Sequence, residues 1–265
     1  MPCGPPDGTM RRTLLLGAVA LPLFTRPAAA ADLVVFSSGG LNAAYLMLVP
    51  EFQRATGHGL TSIGASSMGA APDAIPQRLA RGEPADVLLL AEGGLAPLEA
   101  RGFVRPGSRV DIARSLIGAC VREGTPKPDI STPDAFRQTL LNAASIAYSA
   151  SASGVYIENE MFRRLGIHDQ VMPKARRILS ERVAAVVARG EAELGFQQVS
   201  EIVTVPGIAY LGTIPEDVQK PTIFCAVVTA NTRQPEAAQA LIRFLASPEA
   251  ASALRRTGLE PLARN

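Results

Sequence analysis

Short apolar runs that end in glycine and serine and pass at once into helix-period sequence recur along this chain. Residues 32–37 (Asp-Leu-Val-Val-Phe-Ser) run into Ser38-Gly39-Gly40, followed by an amphipathic stretch over 41–55 and a stop at Gly57. The same order returns at 59–63 with a loop at 65–69 and a helix over 73–81, and at 86–90 with a helix over 95–101. It returns again at 145–148 with a loop at 149–154 and a helix over 155–165, and at 177–180 with a helix ending near Arg189. Further strands are expected at 115–122, 194–196 and 222–229, and further helices at 133–142, 235–246 and 249–256. Alternation at this spacing predicts an α/β fold with mostly parallel sheets flanked by helices. A chain of 265 residues makes one large domain or two compact ones. No low-complexity linker or fixed-period repeat interrupts it, so two lobes would have to be joined by crossing strands.

The first residues read differently. Arg11-Arg12 precede an apolar run of about eleven residues, and Ala28-Ala29-Ala30-Ala31 offers small residues for a signal peptidase. The run is shorter than the roughly 18–20 residues that span a bilayer. Residues 1–31 are therefore expected to be a cleaved export signal, with the mature chain beginning near Ala31 or Asp32 in the periplasm. The arginines of this segment account for the formal charge of +2, leaving a neutral body with no basic stripe. Nucleic acid has little to hold there.

Four strand-to-helix junctions carry hydroxyls: Ser37/Ser38, Ser66/Ser67, Ser149/Ser151/Ser153 and Ser180. In an open parallel sheet such junctions share the ligand-binding edge, where helix N-termini offer unpaired N–H groups to an anion. The alternative use of each serine is as an N-cap. Other chemistry is sparse. His58 and His168 stand apart and are expected at the surface, so neither a metal cage nor a Ser-His-Asp triad can be assembled. Nucleotide-binding glycine loops and a nucleophile elbow are absent as well, and no cofactor is expected. Cys120 and Cys225 lie in two late strands, either as a disulfide, if those strands are neighbours, or as two buried thiols.

Val-Val-Phe-Ser-Ser-Gly-Gly-Leu at 34–41, Ser-Ile-Gly-Ala-Ser-Ser at 62–67, Arg-Gly-Glu-Pro-Ala-Asp-Val-Leu at 81–88, Ser-Gly-Val-Tyr at 153–156 and Arg-Gly-Glu-Ala-Glu-Leu-Gly-Phe at 189–196 resemble the periplasmic molybdate-binding proteins, solute receptors of ABC transporters. The Gly-x-Pro-Ala-Asp-Val piece is the most specific of these. The resemblance spans 32–262 and implies a two-lobed periplasmic-binding fold: residues 32–115 with 225–265 as one lobe, 116–224 as the other. It implies a monomer that clamps a small anion and hands it to a membrane permease.

Carried over position by position, the resemblance places ligand contacts at Ser66 and Ser67, at Ser37 or Ser38 (the family's own serine position falls on Gly40), near Ser153 and Ser180, and at Gln198, where the family has a tyrosine. A carboxamide offers both a donor and an acceptor, whereas a deprotonated tetrahedral oxyanion needs donors only. Gln198 therefore points from molybdate toward an organic carboxylate. Bacterial aconitate isomerases are similar to this receptor family, and an enzyme of that kind needs a general base beside the substrate carbon. Glu181, Tyr148 and Tyr156 are the candidates for it, with Arg182 as a carboxylate clamp.

Overall fold

A computed structural model of the chain describes residues 1, 3, 4 and 30–262, so most of the segment read as an export signal lies outside the described residues. The elements in order are β1 (Asp32–Ser38), α1 (Gly39–Thr56), β2 (Gly59–Ala65), α2 (Ile75–Ala80), β3 (Val87–Ala91), α3 (Leu95–Ala100), β4 (Val110–Ser115) and β5 (Ile117–Arg122). There follow α4 (Pro133–Asn142), β6 (Ile146–Ser149), α5 (Ala152–Tyr156), a π turn at Ile157–Met161, α6 (Phe162–Arg164), α7 (His168–Val171), β7 (Ala175–Ile178) and α8 (Val183–Ala188). The chain ends with β8 (Leu194–Gln198), α9 (Val199–Ile202), β9 (Ile208–Thr213), β10 (Thr222–Val228), α10 (Pro235–Leu245), α11 (Ala251–Arg256) and β11 (Glu260–Pro261).

Two sheets form, ordered β11-β4-β10-β3-β1-β2 and β7-β6-β8-β5-β9. Each contains the same parallel triplet, the second and third strands flanking the first: β2-β1-β3 and β7-β6-β8. Strand order reverses at β1 and at β6, and at such a reversal a crevice opens beyond the carboxyl ends of the strands. The expectation of mostly parallel sheets is corrected here. The strands beyond each triplet, β10, β4 and β11 in one sheet and β5 and β9 in the other, all pair antiparallel. The chain passes between the sheets at Leu116, between β4 and β5, and again between β9 and β10; β10 joins the first sheet from Thr222, three residues ahead of the expected boundary.

The unbroken apolar runs of the central strands follow from burial on both faces. Val35, Leu89, Ala226 and Val228 face a core with α1, α10 and α11, while Phe36, Leu88, Leu90 and Val227 face a second core with α2 and α3. The other sheet is covered likewise, with Phe136, Tyr148, Phe162 and Phe196 on one side and Ala147, Val183, Val186 and Val187 of α8 on the other. Among the described residues no helix is long and apolar enough to cross a membrane.

His58, expected at the surface, is buried: its Nδ1 accepts the Ala31 N–H at 3.1 Å and its ring packs on Phe52, so it ties down the start of β1. His168 is half-buried against Asp169 and Arg163. Cys120 and Cys225 occupy different sheets, on β5 and β10, and both are free and buried. Of the two readings of these cysteines, the buried thiols are the one realised. Burial pushes both up to about 12, away from the reactive thiolate. In a timed thiol-labelling assay a folded chain starting at Ala31 is accordingly expected to leave both unmodified, and denaturant to expose two; fast labelling of either in native buffer would contradict this burial.

Candidate functional site

The carboxyl ends of both parallel triplets meet across a cavity of about 310 Å³. That is the low end of small-ligand pockets, roughly 300–1,000 Å³. It takes Ser37, Ser38, Gly39 and Asn42 from the β1–α1 junction, Ser66 and Asp73 from the segment after β2, and Ser149, Ser151 and Ser153 from the β6–α5 junction. The β7–α8 junction adds Ser180, Glu181 and Arg182; the β8–α9 junction adds Gln197, Gln198 and Glu201.

The junction serines are not helix caps. Ser38 precedes α1 and Ser151 precedes α5 in extended conformation, yet neither side chain bonds its helix; nor do Arg182 before α8 or Gln198 before α9. The hydroxyls are held in other ways. Ser67 Oγ donates to Ser38 Oγ at 2.7 Å and accepts the Ala91 N–H at 2.8 Å, and Ser149 and Ser153 share a bond of 3.2 Å. Ser37 Oγ is wholly buried in the cavity wall with no hydrogen-bond partner among the described residues. Gln198 donates from Nε2 to Thr222 Oγ1 at 2.9 Å, and its Oε1 has no partner among the described residues. Across the mouth, Ser180 Oγ donates to Asp73 Oδ1 at 3.2 Å, joining the two lobes.

Of the positions read from sequence, Ser37, Ser38, Ser66, Ser153, Ser180, Gln198, Glu181 and Arg182 all line this cavity. Three do not. Ser67 lies behind the wall, its hydroxyl consumed by Ser38 and Ala91. Tyr156 lies in the second lobe's core, its hydroxyl donating to the Val218 carbonyl at 2.6 Å and accepting from Arg164. Tyr148 is 2% exposed in the same core, and burial and the neighbouring Glu158 raise its phenol further from a useful base. As for Glu181, it lies at the exposed rim paired with Arg189 at 3.0 Å.

The group that sequence reasoning missed is Glu201, in the single turn of α9. Desolvation lifts its carboxyl from an ordinary 4.5 to about 7, against the opposing pull of Arg182 and of a hydrogen bond from Gln197. That bond is oriented by a second one. Gln197 Oε1 accepts the Val183 N–H at 2.9 Å, so its Nε2 is left to donate to Glu201 Oε1, also at 2.9 Å. Glu201 Oε2 has no hydrogen-bond partner among the described residues. The only signal for this carboxylate was an acidic residue in the first turn after the Leu194-Gly-Phe switch, and that junction carries glutamines where the others carry serines.

A cleft with hydroxyls from four junctions, one guanidinium and one carboxyl poised near neutrality can bind a small anion and move a proton on it. Among the described residues no His/Cys/Asp/Glu cluster could hold a metal ion. Residues 33–260 match the family model for bacterial extracellular solute-binding proteins, and the chain belongs to that family. Within it, the chain is 49% identical to an aconitate isomerase from a Pseudomonas species, over 94% of this chain and 96% of that one. A molybdate-binding protein of Rhodobacter capsulatus is 27% identical over 93% and 96%. The periplasmic molybdate-binding protein of Azotobacter vinelandii has the same two-lobed fold, with a TM-score of 0.69 at 22% identity, over 86% of this chain and 98% of that one.

Proposed function

We propose that this is a periplasmic enzyme that isomerises a small unsaturated tricarboxylate, interconverting cis- and trans-aconitate. The observation that carries the reading is Glu201, a carboxyl with a pKa of about 7 in the wall of the cleft. A general base works best with a pKa near the operating pH. The 49% identity to an aconitate isomerase along nearly the whole chain supports the same reading.

The chemistry is an allylic proton shift. Glu201 takes a proton from the methylene carbon, and that C–H pair forms a new double bond to the central carbon. The old double-bond pair moves to the far carbon, which receives the proton back from Glu201. Negative charge delocalises onto the substrate carboxylates in between. Arg182 and the serine hydroxyls are the donors that stabilise it.

The test is an NMR time course of mature protein with cis-aconitate in deuterated buffer. The expected result is trans-aconitate, with a kcat that rises with pH through about 7, because only the ionised Glu201 accepts the proton. The second reading, a receptor that delivers a carboxylate to a permease, rests on the family and on the Ser180–Asp73 contact that closes the mouth. It predicts saturable binding with the acid recovered unchanged, and that outcome would replace the enzyme reading.

A further inference from the structure

Two neighbours of Glu201 have no part in binding, yet both bear on where its carboxyl sits. One is Gln197, fixed by the Val183 N–H so that it must donate to Glu201 Oε1. The other is Gly39, which belongs to the opposite lobe. A Cβ added to Gly39 would lie 2.1 Å from Glu201 Oε1, and no backbone atom crowds it. Gly39 does not have a positive φ, so conformational freedom does not explain a glycine there. Only the missing side chain does. The approach of α9 to this end of α1 is itself pinned, because Ser200 Oγ, fully buried, donates to the Gly40 carbonyl at 2.7 Å.

We propose that Gly39 and Gln197 are positioning residues for Glu201: Gln197 ties down Oε1, Gly39 leaves the space in which that oxygen rests at the start of α1, and Oε2 is thereby presented to the substrate. This rests on the reading of Glu201 as the base. One lobe supplies the base and its tether and the other supplies the seat, so the carboxyl is correctly aimed only when both lobes are in place. Arg182 is the charged group that acts on Glu201; Asp73 and Glu181 line the same cavity, and the first turn of α1 carries no acidic residue.

The test uses Gly39→Ala and Gln197→Met in the mature protein, with Glu201→Gln as reference. Alanine at 39 meets only the end of a flexible side chain, so the fold is expected to survive while the carboxyl is displaced. In both variants kcat is expected to fall about tenfold to a hundredfold, with KM changed less than about threefold. The acid limb of the pH profile should move in opposite directions. Gln197→Met removes a bond that favours the carboxylate and shifts the limb to higher pH, whereas Gly39→Ala pushes the carboxyl toward water and shifts it lower. In the Glu201→Gln background neither change should alter the residual rate, since a residue acting through Glu201 has nothing left to act on. An active wild type whose variants keep both kcat and pH limb would overturn the proposal. Should the wild type bind cis-aconitate without turnover, the enzyme reading fails. Carbon-13 titration of Glu201 in the same proteins then decides the positioning alone, with opposite displacements supporting it and an unmoved titration refuting it.

Discussion

Glu201→Gln is expected to lower the rate of aconitate isomerisation by about a hundredfold to ten-thousandfold, the range for a lost general base, while the substrate still binds. Glutamine keeps the volume of the side chain but cannot take a proton from carbon. The binding groups are elsewhere: Arg182 comes from the β7–α8 junction and the hydroxyls from the serine junctions, all in place in the variant. Thermal shift with cis-aconitate should therefore persist when turnover has gone. A parallel loss of binding and rate would mean that Glu201 holds the ligand and that the base is another group.

The same substitution separates function from stability. A carboxyl whose folded pKa lies above its unfolded value helps folding fully below about 4.5 and loses that contribution as pH rises through about 7. The wild type is expected to lose on the order of 1–3 kcal/mol relative to Glu201→Gln across that window. Urea midpoints of the two proteins at the two ends of the window measure it. The variant should be the more stable protein at neutral pH, with the stability cost located in the proposed base.

Gly154→Ala is the second large effect expected, and it acts on the scaffold. A Cβ there would lie 1.5 Å from the Ser149 carbonyl oxygen, and a backbone atom cannot swing aside as a side-chain end can. The turn that brings β6 into α5 must open, and with it the Ser149–Ser153 pair in the cavity wall. A destabilisation of about 3 kcal/mol or more is expected, together with loss of carboxylate binding. Gly64→Ala is the control. Gly64 is in the same cavity lining with nothing near its absent Cβ, and its thermal midpoint should stay near wild type. Equal midpoints for the two variants would show that the turn at 149–154 is softer than its geometry states.

The strand-loop-helix grammar was legible because the central strands are buried on both faces and most junctions spend glycine or serine at one edge. Helix α4 matched its expected span at both ends, where Thr132 caps it and Pro133 opens it. Strand β9 was missed although Ile208-Ala-Tyr-Leu211 is an apolar run: the run is only four residues long, is cut off by Gly212, and lies at a sheet edge where all but the last residue of the strand are only partly buried. β4 was missed where Asp111 and Arg114 break its run. The antiparallel additions are set by which lobe each strand returns to, a long-range matter that no local window records. Serines at the cleft could be read from their junctions. Glu201 could not, since its chemistry depends on burial and on tethers from α1 and β8 that meet only after folding.

The scarcity of positive charge in the cleft has a consequence for the environment in which this protein works. Among the described residues Arg182 is the only lysine or arginine in the cavity lining, and the remaining donors are hydroxyl and amide groups. Dissolved salt screens exposed charges over a Debye length of about 10 Å at 0.1 M, but it does little to hydrogen bonds made inside a closed cleft. Capture of the ligand should thus be nearly indifferent to ionic strength. A protein facing the changing salinity outside a cell membrane would keep its grip on a highly charged acid in dilute and concentrated media alike, selecting it by the arrangement of dipoles and not by bulk attraction.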